Sequence, residues 1–290
     1  MNMKVEMSRS LKIRWVLAIS LGFVLFLNLV LPLRSIIGDF IEGEKTVRMA
    51  AGIIIRFIMF AILVYLIRRF KFEKFIGIGA GIEKGFYMRQ SIILLIPMVF
   101  ITMGIISDFS VYVNAGSGIL TLFLIEHFFV ALIEELAFRA IILPLVIQIR
   151  ANKKRLLLVS VCLTSLIFGA LHYLNLFREP GNFSGITFQV VFASAIGIFL
   201  GGLLLRTRHI IFPIMIHFLV NAAFGKSELR PENEDLVTEA VGSSTDSSSL
   251  FVTLGLFVFV AIGGVVMIRK VDRNEILNTL NTKIDSNEME

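Results

Sequence analysis

The chain has 290 residues, of which 56% are hydrophobic and only 17% charged, and its mean hydropathy is +0.84. Soluble domains carry about one quarter charged residues, so this composition excludes an ordinary soluble domain and indicates a polytopic membrane protein. The formal net charge is +6. The basic residues cluster at the ends of apolar segments, which is typical of membrane topology signals rather than of a nucleic-acid-binding patch.

About 20 consecutive apolar residues are needed for a helix to cross the hydrocarbon core of a bilayer. By that rule the sequence predicts an all-α membrane protein with eight transmembrane helices. Their approximate ranges are 15–33, 49–67, 91–107, 118–143, 156–174, 186–205, 210–224 and 249–268. The first range follows a basic start, but it is too long for the apolar region of a signal peptide.

The distribution of Lys and Arg between the spans predicts the orientation of the chain. With both termini in the cytoplasm, the inner boundaries carry more than three times as many basic residues as the outer loops. This asymmetry is the positive-inside pattern. We therefore expect an integral protein of the cell membrane with cytoplasmic N- and C-termini.

The chain shows no internal repeat, so residues 1–290 are expected to form a single integral membrane domain. Residues 225–248 are acidic and then rich in serine, which predicts an external polar loop. Residues 269–290 are predicted to form a cytoplasmic tail. The segment 118–150 is longer than one crossing requires, so we expect it to bend near Pro144 or to continue along the inner surface.

The predicted fourth span contains EHFFVALIEELAFRAIILP, which places Glu134, Glu135 and Arg139 at membrane depth. An ionised side chain costs about 2.5–3.5 kcal/mol at the bilayer centre, so such residues point to function. Glu135 and Arg139 are four residues apart and are expected to form an ion pair. Glu134 is rotated by about 100° from Glu135 and has no local partner, which leaves it available as a base. Alternatively, all three residues brace neighbouring helices.

Two further motifs lie in the fifth and seventh predicted spans. In SLIFGALHYLN, His172 follows Phe168 by one turn, so the aromatic ring can pack beside the imidazole. In FPIMIHFLVNAAF, His217 and Asn221 share a helix face, where their N–H groups would suit an oxyanion. A single His or Asn in a membrane helix more often makes structural hydrogen bonds. Three such motifs in one bundle favour a joint site.

Together these residues predict a hydrolytic site. Peptide hydrolysis requires a base that activates water and donors that hold the tetrahedral oxygen. Glu134 with His172 would supply the base, and His217 with Asn221 the donors. Alternatively, Glu134, His172 and His217 could ligate one divalent metal ion, most plausibly zinc. The sequence leaves the metal-free and the metal-dependent site open.

Three other polar residues within the predicted spans are assigned lesser roles. Arg56 lies early in the second span and is expected to extend its long side chain to the outer interface. Glu126 and His127 precede Glu134 in the fourth span. His127 lies two turns before Glu134, and a structural or interfacial role is expected for it.

The three motifs occur in the order E-E-x-x-x-R, F-x-x-x-H and H-x-x-x-N within residues 118–224. This order resembles the CPBP family of CAAX proteases and bacteriocin-processing enzymes, which includes the Ras-converting CAAX endopeptidase of eukaryotes. The resemblance implies an eight-helix intramembrane endopeptidase whose catalytic core is 118–224. Its substrate would be a membrane-associated protein or peptide, and the compact length suggests a bacterial protein.

The resemblance also implies roles for the site residues by position. Glu134 and His172 would activate the water, His217 and Asn221 would form the oxyanion site, and Arg139 would steady the second glutamate of the motif. The family is described both as glutamate-dependent and as metalloprotease, so the question of the metal stays open here.

Two other functions compete with proteolysis. A non-catalytic scaffold or bacteriocin self-immunity protein would bind its partner through the spans or the outer loop. A secondary transporter would use the same mid-depth residues as a proton relay, but the sequence shows no inverted repeat and no pair of broken helices. The protease hypothesis ranks first.

Overall fold

A computed structural model of the chain describes residues 7–26, 45–78, 91–177, 179–230 and 247–281. Every regular element in these residues is a helix, which confirms the predicted all-α class. The α-helices are α1 (Arg9–Leu25), α2 (Lys45–Phe70), α3 (Leu95–Ile106), α4 (Phe109–Asn114), α5 (Ser117–Glu135), α6 (Leu143–Ile149), α7 (Leu156–Leu171), α8 (Phe183–Thr207), α9 (Ile211–Phe224), α10 (Ser247–Ile268) and α11 (Arg273–Thr279). A π-helix (Leu136–Ile142) joins α5 to α6, and short 3₁₀ segments lie at Ser91–Leu94, His172–Phe177 and Lys226–Leu229.

Three helices of the described residues are long and apolar enough to cross a membrane, namely Thr46–Phe70, Leu156–Phe177 and Phe183–Thr207. The pair Leu254–Ile268 and Arg273–Thr279, bent by 81°, would form a fourth span if counted as one. These helices support an integral membrane protein. The count of eight spans and the cytoplasmic position of both termini stay predictions.

Parts of the predicted segments lie outside the described residues. They are the end of the first predicted span, most of the predicted outer loop and the end of the predicted tail, at 27–33, 231–246 and 282–290.

The outer face of α2 shows the pattern expected of a lipid-facing helix. Ile54, Ile58 and Ile62 are spaced four residues apart and are 64%, 59% and 50% exposed. Residues at this spacing share one helix face. A soluble protein rarely leaves a continuous apolar stripe of this kind uncovered, so acyl chains are its natural surroundings.

Helix α8 lies at the centre of the bundle and packs on both α7 and α10. The backbones of α8 and α10 approach closely at Gly202 and Gly264. A Cβ atom on Gly202 would lie 2.5 Å from the Gly264 carbonyl oxygen, and one on Gly264 would lie 2.5 Å from the Ile198 carbonyl oxygen. Small residues at a contact let membrane helices pack at short range.

Gly264→Ala is therefore expected to push α8 and α10 apart. Overpacking of this kind costs about 1–3 kcal/mol of unfolding free energy, so thermal unfolding in detergent should occur at a lower temperature. Gly255→Ala is the matched control, because Gly255 lies on the same helix with nothing within 4 Å of its Cβ position. Equal melting temperatures for the two variants would contradict the assigned helix contact.

The long segment 118–150, predicted to bend near Pro144 or to continue along the inner surface, changes its helix type before that proline. Helix α5 passes into the π-helix, and Pro144 lies in the first turn of α6. Proline lacks the backbone N–H that would donate to a carbonyl of the preceding turn. The π-helix is that preceding turn, so the wider turns lie where an α-helical hydrogen bond is missing. All residues of the π-helix are buried. It directly follows Glu134 and Glu135, and π-helices often mark functional sites.

The turn 71–78 after α2 sets where α9 begins. Phe75 and Ile76 are almost completely buried, with 1% and 0% exposure. The Ile76 carbonyl accepts a hydrogen bond from the Ile210 N–H at 3.0 Å. Gly77 has φ +81°, and a Cβ atom there would overlap the Arg208 carbonyl oxygen. The loop before α9 is therefore held against this turn.

The predicted position of Arg56 at the outer interface is wrong. Its side chain is buried, and Nη1 donates to Glu126 Oε1 at 2.8 Å. Helix α2 packs on α5, so the carboxylate of a neighbouring helix provides a partner inside the bundle. His127 is also buried, with Nδ1 3.0 Å from the Phe123 carbonyl oxygen, which agrees with the structural role expected for it.

Polar contacts tie the end of α9 to the end of α3. Lys226 donates to the Gly104 carbonyl at 2.8 Å, and Arg230 donates to Asp108 at 2.5 Å. The hydrogen bond from Arg230 holds the pKa of the Asp108 carboxyl below its ordinary value. These contacts close one end of the bundle around the helices that carry the site.

Candidate active site

The two glutamates at the end of α5 have different surroundings. The side chain of Glu135 is fully buried at 0% exposure, whereas that of Glu134 is 12% exposed. Adjacent residues of a helix point about 100° apart, so one carboxylate faces the bundle interior and the other faces a partly open space. Of these two glutamates, only Glu134 is exposed enough to contact a substrate.

The i,i+4 ion pair that the spacing predicts is present. Glu135 Oε1 lies 3.0 Å from Arg139 Nη1, and both side chains are buried. Within the described residues neither Nη atom of Arg139 makes a contact with hydrogen-bond geometry. The contact with Glu135 is therefore described as an ion pair at short range. A buried charge without its partner is strongly destabilising, so each residue needs the other.

Helices α7 and α8 provide the remaining walls around Arg139. Its guanidinium carbon lies 4.6 Å from the centroid of the Phe168 ring, a cation–π contact. On α8, a Cβ atom at Gly197 would lie only 3.2 Å from Arg139 Nη2. The glycine therefore leaves room for the guanidinium. Phe168 is itself held by an edge-on contact with Phe138, with ring centroids 5.0 Å apart.

His217 on α9 lies between the two glutamates. Its Nδ1 is 2.7 Å from Glu135 Oε1, and its Nε2 is 3.4 Å from Glu134 Oε2. The short contact makes Nδ1–H the donor to Glu135, so Nε2 is the nitrogen that faces Glu134 and can exchange a proton there. The sequence prediction missed the contact between His217 and Glu135, because it paired Glu135 with Arg139 alone.

His172 is the first residue of the 3₁₀ segment that follows α7. Its Nδ1 lies 3.1 Å from the Phe168 carbonyl oxygen, so Nδ1–H donates and Nε2 stays open. The Phe168 ring stands edge-on to His172, as its spacing predicts, and also to His217, at centroid distances of 5.2 and 5.9 Å. One aromatic side chain therefore contacts both imidazoles.

Asn221 is the predicted site residue that does not join these contacts. It lies one turn after His217 and is half-buried. Within the described residues its side chain makes no hydrogen bond, while its backbone carbonyl accepts from the Gly225 N–H at 2.7 Å. Its carboxamide is free to bind a group that enters the site from the His217 face.

Glu134, His172 and His217, the possible metal ligands, are not grouped around one point in the described residues. Across the described ranges, no group of three or more His, Cys, Asp or Glu side chains is arranged to hold a metal ion. Both ring nitrogens of His217 already face carboxylates, and His172 uses one nitrogen for the Phe168 carbonyl. Zinc binding by Glu134, His172 and His217 stays a prediction.

The arrangement is suited to acid–base chemistry. Arg139, Glu135, His217 and Glu134 form one continuous series of contacts that runs from the buried interior to a partly exposed carboxylate. A base that is oriented by a second group and backed by a third is the usual construction of a hydrolytic site. The walls are apolar, so charges that develop there interact more strongly than in water.

Comparison with protein families identifies this region. Residues 116–223 match the family model described as Type II CAAX prenyl endopeptidase Rce1-like. The matched range contains all three motifs and nearly coincides with the predicted core, 118–224. No curated protein and no solved structure matches the chain at a significant level of similarity. The match confirms, for residues 116–223, the resemblance to the CPBP family that the three motifs predicted.

Proposed function

We propose that this protein is an intramembrane endopeptidase that hydrolyses a peptide bond of a membrane-associated protein or peptide. The family match supports a protease. The observation that carries the proposal is the contact between the partly exposed Glu134 carboxylate and His217 Nε2 at 3.4 Å, with Glu135 behind the imidazole. A carboxylate beside an oriented imidazole is suited to proton transfer.

In the proposed mechanism, Glu134 acts as the general base. It takes a proton from a water molecule as the water oxygen adds to the scissile carbonyl carbon. The same carboxyl then gives that proton to the amide nitrogen as the C–N bond breaks, which releases the amine and the new carboxylic acid; the acid then loses its proton to solvent. His172 would hold the water through its open Nε2, since the Phe168 carbonyl fixes its Nδ1–H.

His217 and Asn221 would stabilise the tetrahedral oxygen. His217 donates to that oxygen from Nε2 as the imidazolium, with protons on both ring nitrogens, and the Glu135 carboxylate at Nδ1 stabilises this charge. Asn221 would add its amide N–H from one turn further along α9. Glu135, Arg139 and Phe168 are positioning residues in this mechanism.

The family description names a CAAX prenyl endopeptidase, so a prenylated peptide is the natural first substrate to test. We propose more generally a cleavage site close to the membrane surface in a protein anchored in or spanning the bilayer. The proposed topology is eight spans with both termini in the cytoplasm, with 118–224 as the catalytic core of one integral domain.

The direct test is cleavage of a farnesylated CAAX peptide and of a pool of membrane peptides by the purified protein in nanodiscs, followed by mass spectrometry. His172→Ala is expected to lower kcat/KM by about 10²–10⁴-fold, because Glu134 can act as a base only on a water that is held in place, and general base catalysis contributes about that factor. Tyr173→Phe is the control, because it lies in the same 3₁₀ segment and its hydroxyl makes only a 3.5 Å contact with Thr187. Wild-type rates for His172→Ala would remove it from the mechanism.

A further inference from the structure

A second cluster of charged side chains lies at the end of α7 that is remote from His172. Lys153 and Arg155 precede α7, Arg269 follows α10, and Arg273 begins α11. These four side chains, called here the basic pocket, line a cavity of about 460 Å³. Within the described part of the chain, no acidic side chain lines this cavity.

The fold brings these cations together from separate segments. The 81° bend between α10 and α11 turns α11 across the end of the bundle. Arg273 then donates to the Ala151 carbonyl at 2.5 Å, which ties α11 to the loop before α7. Cations that converge without a lining carboxylate repel one another. An anion bound in the basic pocket would relieve this repulsion.

The cavity has an apolar side as well as a charged side. Its lining continues from the cations onto Leu157, Leu158 and Ile268. The two leucines belong to α7, a candidate membrane span, and Ile268 ends α10, which passes the same test together with α11. A ligand that fills the whole cavity therefore carries a negative charge at one end and an apolar chain at the other. Inorganic phosphate or a soluble acidic peptide would use only the charged end.

We propose that the basic pocket binds the headgroup of an anionic phospholipid, with the first part of an acyl chain along Leu157 and Leu158. Basic pockets between membrane helices are suited to such headgroups, and Lys and Arg side chains attract anionic lipids individually. The bound lipid would join α7, α10 and α11 at one end of the bundle. It therefore stabilises the folded state by binding that state preferentially.

The pocket is separate from the proposed active site. Leu156 and His172 are 16 positions apart along the helix, which corresponds to about 24 Å at 1.5 Å per residue. Lipid binding therefore involves none of the residues assigned to hydrolysis. Lipid retention is measured without a peptidase assay, so its outcome is independent of the proposed function.

The test uses the full chain in nanodiscs that contain equal amounts of phosphatidylglycerol and phosphatidylcholine of the same chain length. After transfer to a neutral detergent, native mass spectrometry should show preferential retention of phosphatidylglycerol by the wild type. Arg155→Gln/Arg269→Gln should weaken that preference by about 10–30-fold, as expected for the loss of two lipid-facing cations. Retention equal to that of the wild type would overturn the proposal.

Arg68→Gln/Arg69→Gln is the matched control. These two arginines end α2 and are exposed, and they contribute no side chain to the basic pocket. The control removes the same charge and should keep the lipid preference. An equal loss in the control would show attraction to net charge instead of a site, and would overturn the proposal.

A charge-retaining variant and a comparison of lipid with free phosphate complete the test. If the double Gln variant does not fold, Arg155→Lys/Arg269→Lys retains the charges and should keep the preference for phosphatidylglycerol over phosphatidylcholine. Thermal unfolding is measured with phosphatidylglycerol and, separately, with inorganic phosphate alone. A rise in melting temperature with the lipid but not with phosphate is expected. Equal rises would assign the cavity to free anions and contradict a lipid site.

Discussion

Glu134→Gln is expected to abolish peptide hydrolysis while leaving the fold intact. In the described residues, the only hydrogen-bond or ion-pair partner of Glu134 is His217 Nε2 at 3.4 Å, and its side chain is partly exposed. The Gln amide has nearly the same shape and can keep this contact, but it cannot accept the proton of the attacking water. Loss of a general base lowers kcat/KM by about 10²–10⁴-fold.

The measurement compares cleavage rates in nanodiscs with melting temperatures of the same samples. Glu135→Gln is the internal comparison, because it changes the adjacent residue in the same way. That residue is fully buried and contacts both Arg139 and His217, so this variant should lose stability as well as activity. If Glu134→Gln cleaves like the wild type, Glu134 is not the base. A phenotype that is unchanged in cells would favour the scaffold alternative.

The local parts of the site could be predicted because helix geometry relates residues within one turn. The pair Glu135–Arg139 and the contact of Phe168 with His172 both follow from a spacing of four residues, and the structure contains both. The contact between Glu135 and His217 joins α5 to α9. No spacing within one segment determines it, because it depends on how the two helices pack.

The ion pair of Arg56 with Glu126 could have been predicted from the sequence. Both residues lie inside apolar segments, and a charge at membrane depth almost always pairs with another. After Glu135 is assigned to Arg139, Glu126 is the natural partner for the arginine of α2. The prediction that Arg56 extends to the interface did not consider this pairing. In the structure Arg56 Nη1 lies 2.8 Å from Glu126 Oε1.

The relative depths of the helices could not be predicted. His217 lies only six positions after Ile211, whereas Phe168 lies twelve after Leu156, yet their rings are 5.9 Å apart. Helix α9 begins where the turn 71–78 holds the loop before it. Hydropathy predicted the start of this span within one residue, at 210 against Ile211. The depth of α9 relative to α7 depends on how the two helices pack, which hydropathy does not report.

Arg139→Met is expected to give the largest loss of stability of any single change at the site. It leaves the Glu135 carboxylate at 0% exposure without its cation, and breaking a buried ion pair in this way costs about 3–5 kcal/mol. The Phe168 ring also loses its cation–π partner. Unfolding free energies measured by chemical denaturation in detergent micelles should show this difference clearly.

A second substitution separates the two effects of this change. Arg139→Met/Glu135→Gln removes both charges and should regain much of the lost stability, because a buried pair can often be replaced by neutral groups at little cost. It should nevertheless stay inactive, since His217 Nδ1 loses the carboxylate that orients it. Arg208→Met is the control, because its partner Glu275 is 63% exposed, so this change leaves no buried carboxylate without a cation. If Arg139→Met unfolds like Arg208→Met, the buried pair does not stabilise the bundle. If the double variant cleaves peptide, His217 needs no orienting carboxylate.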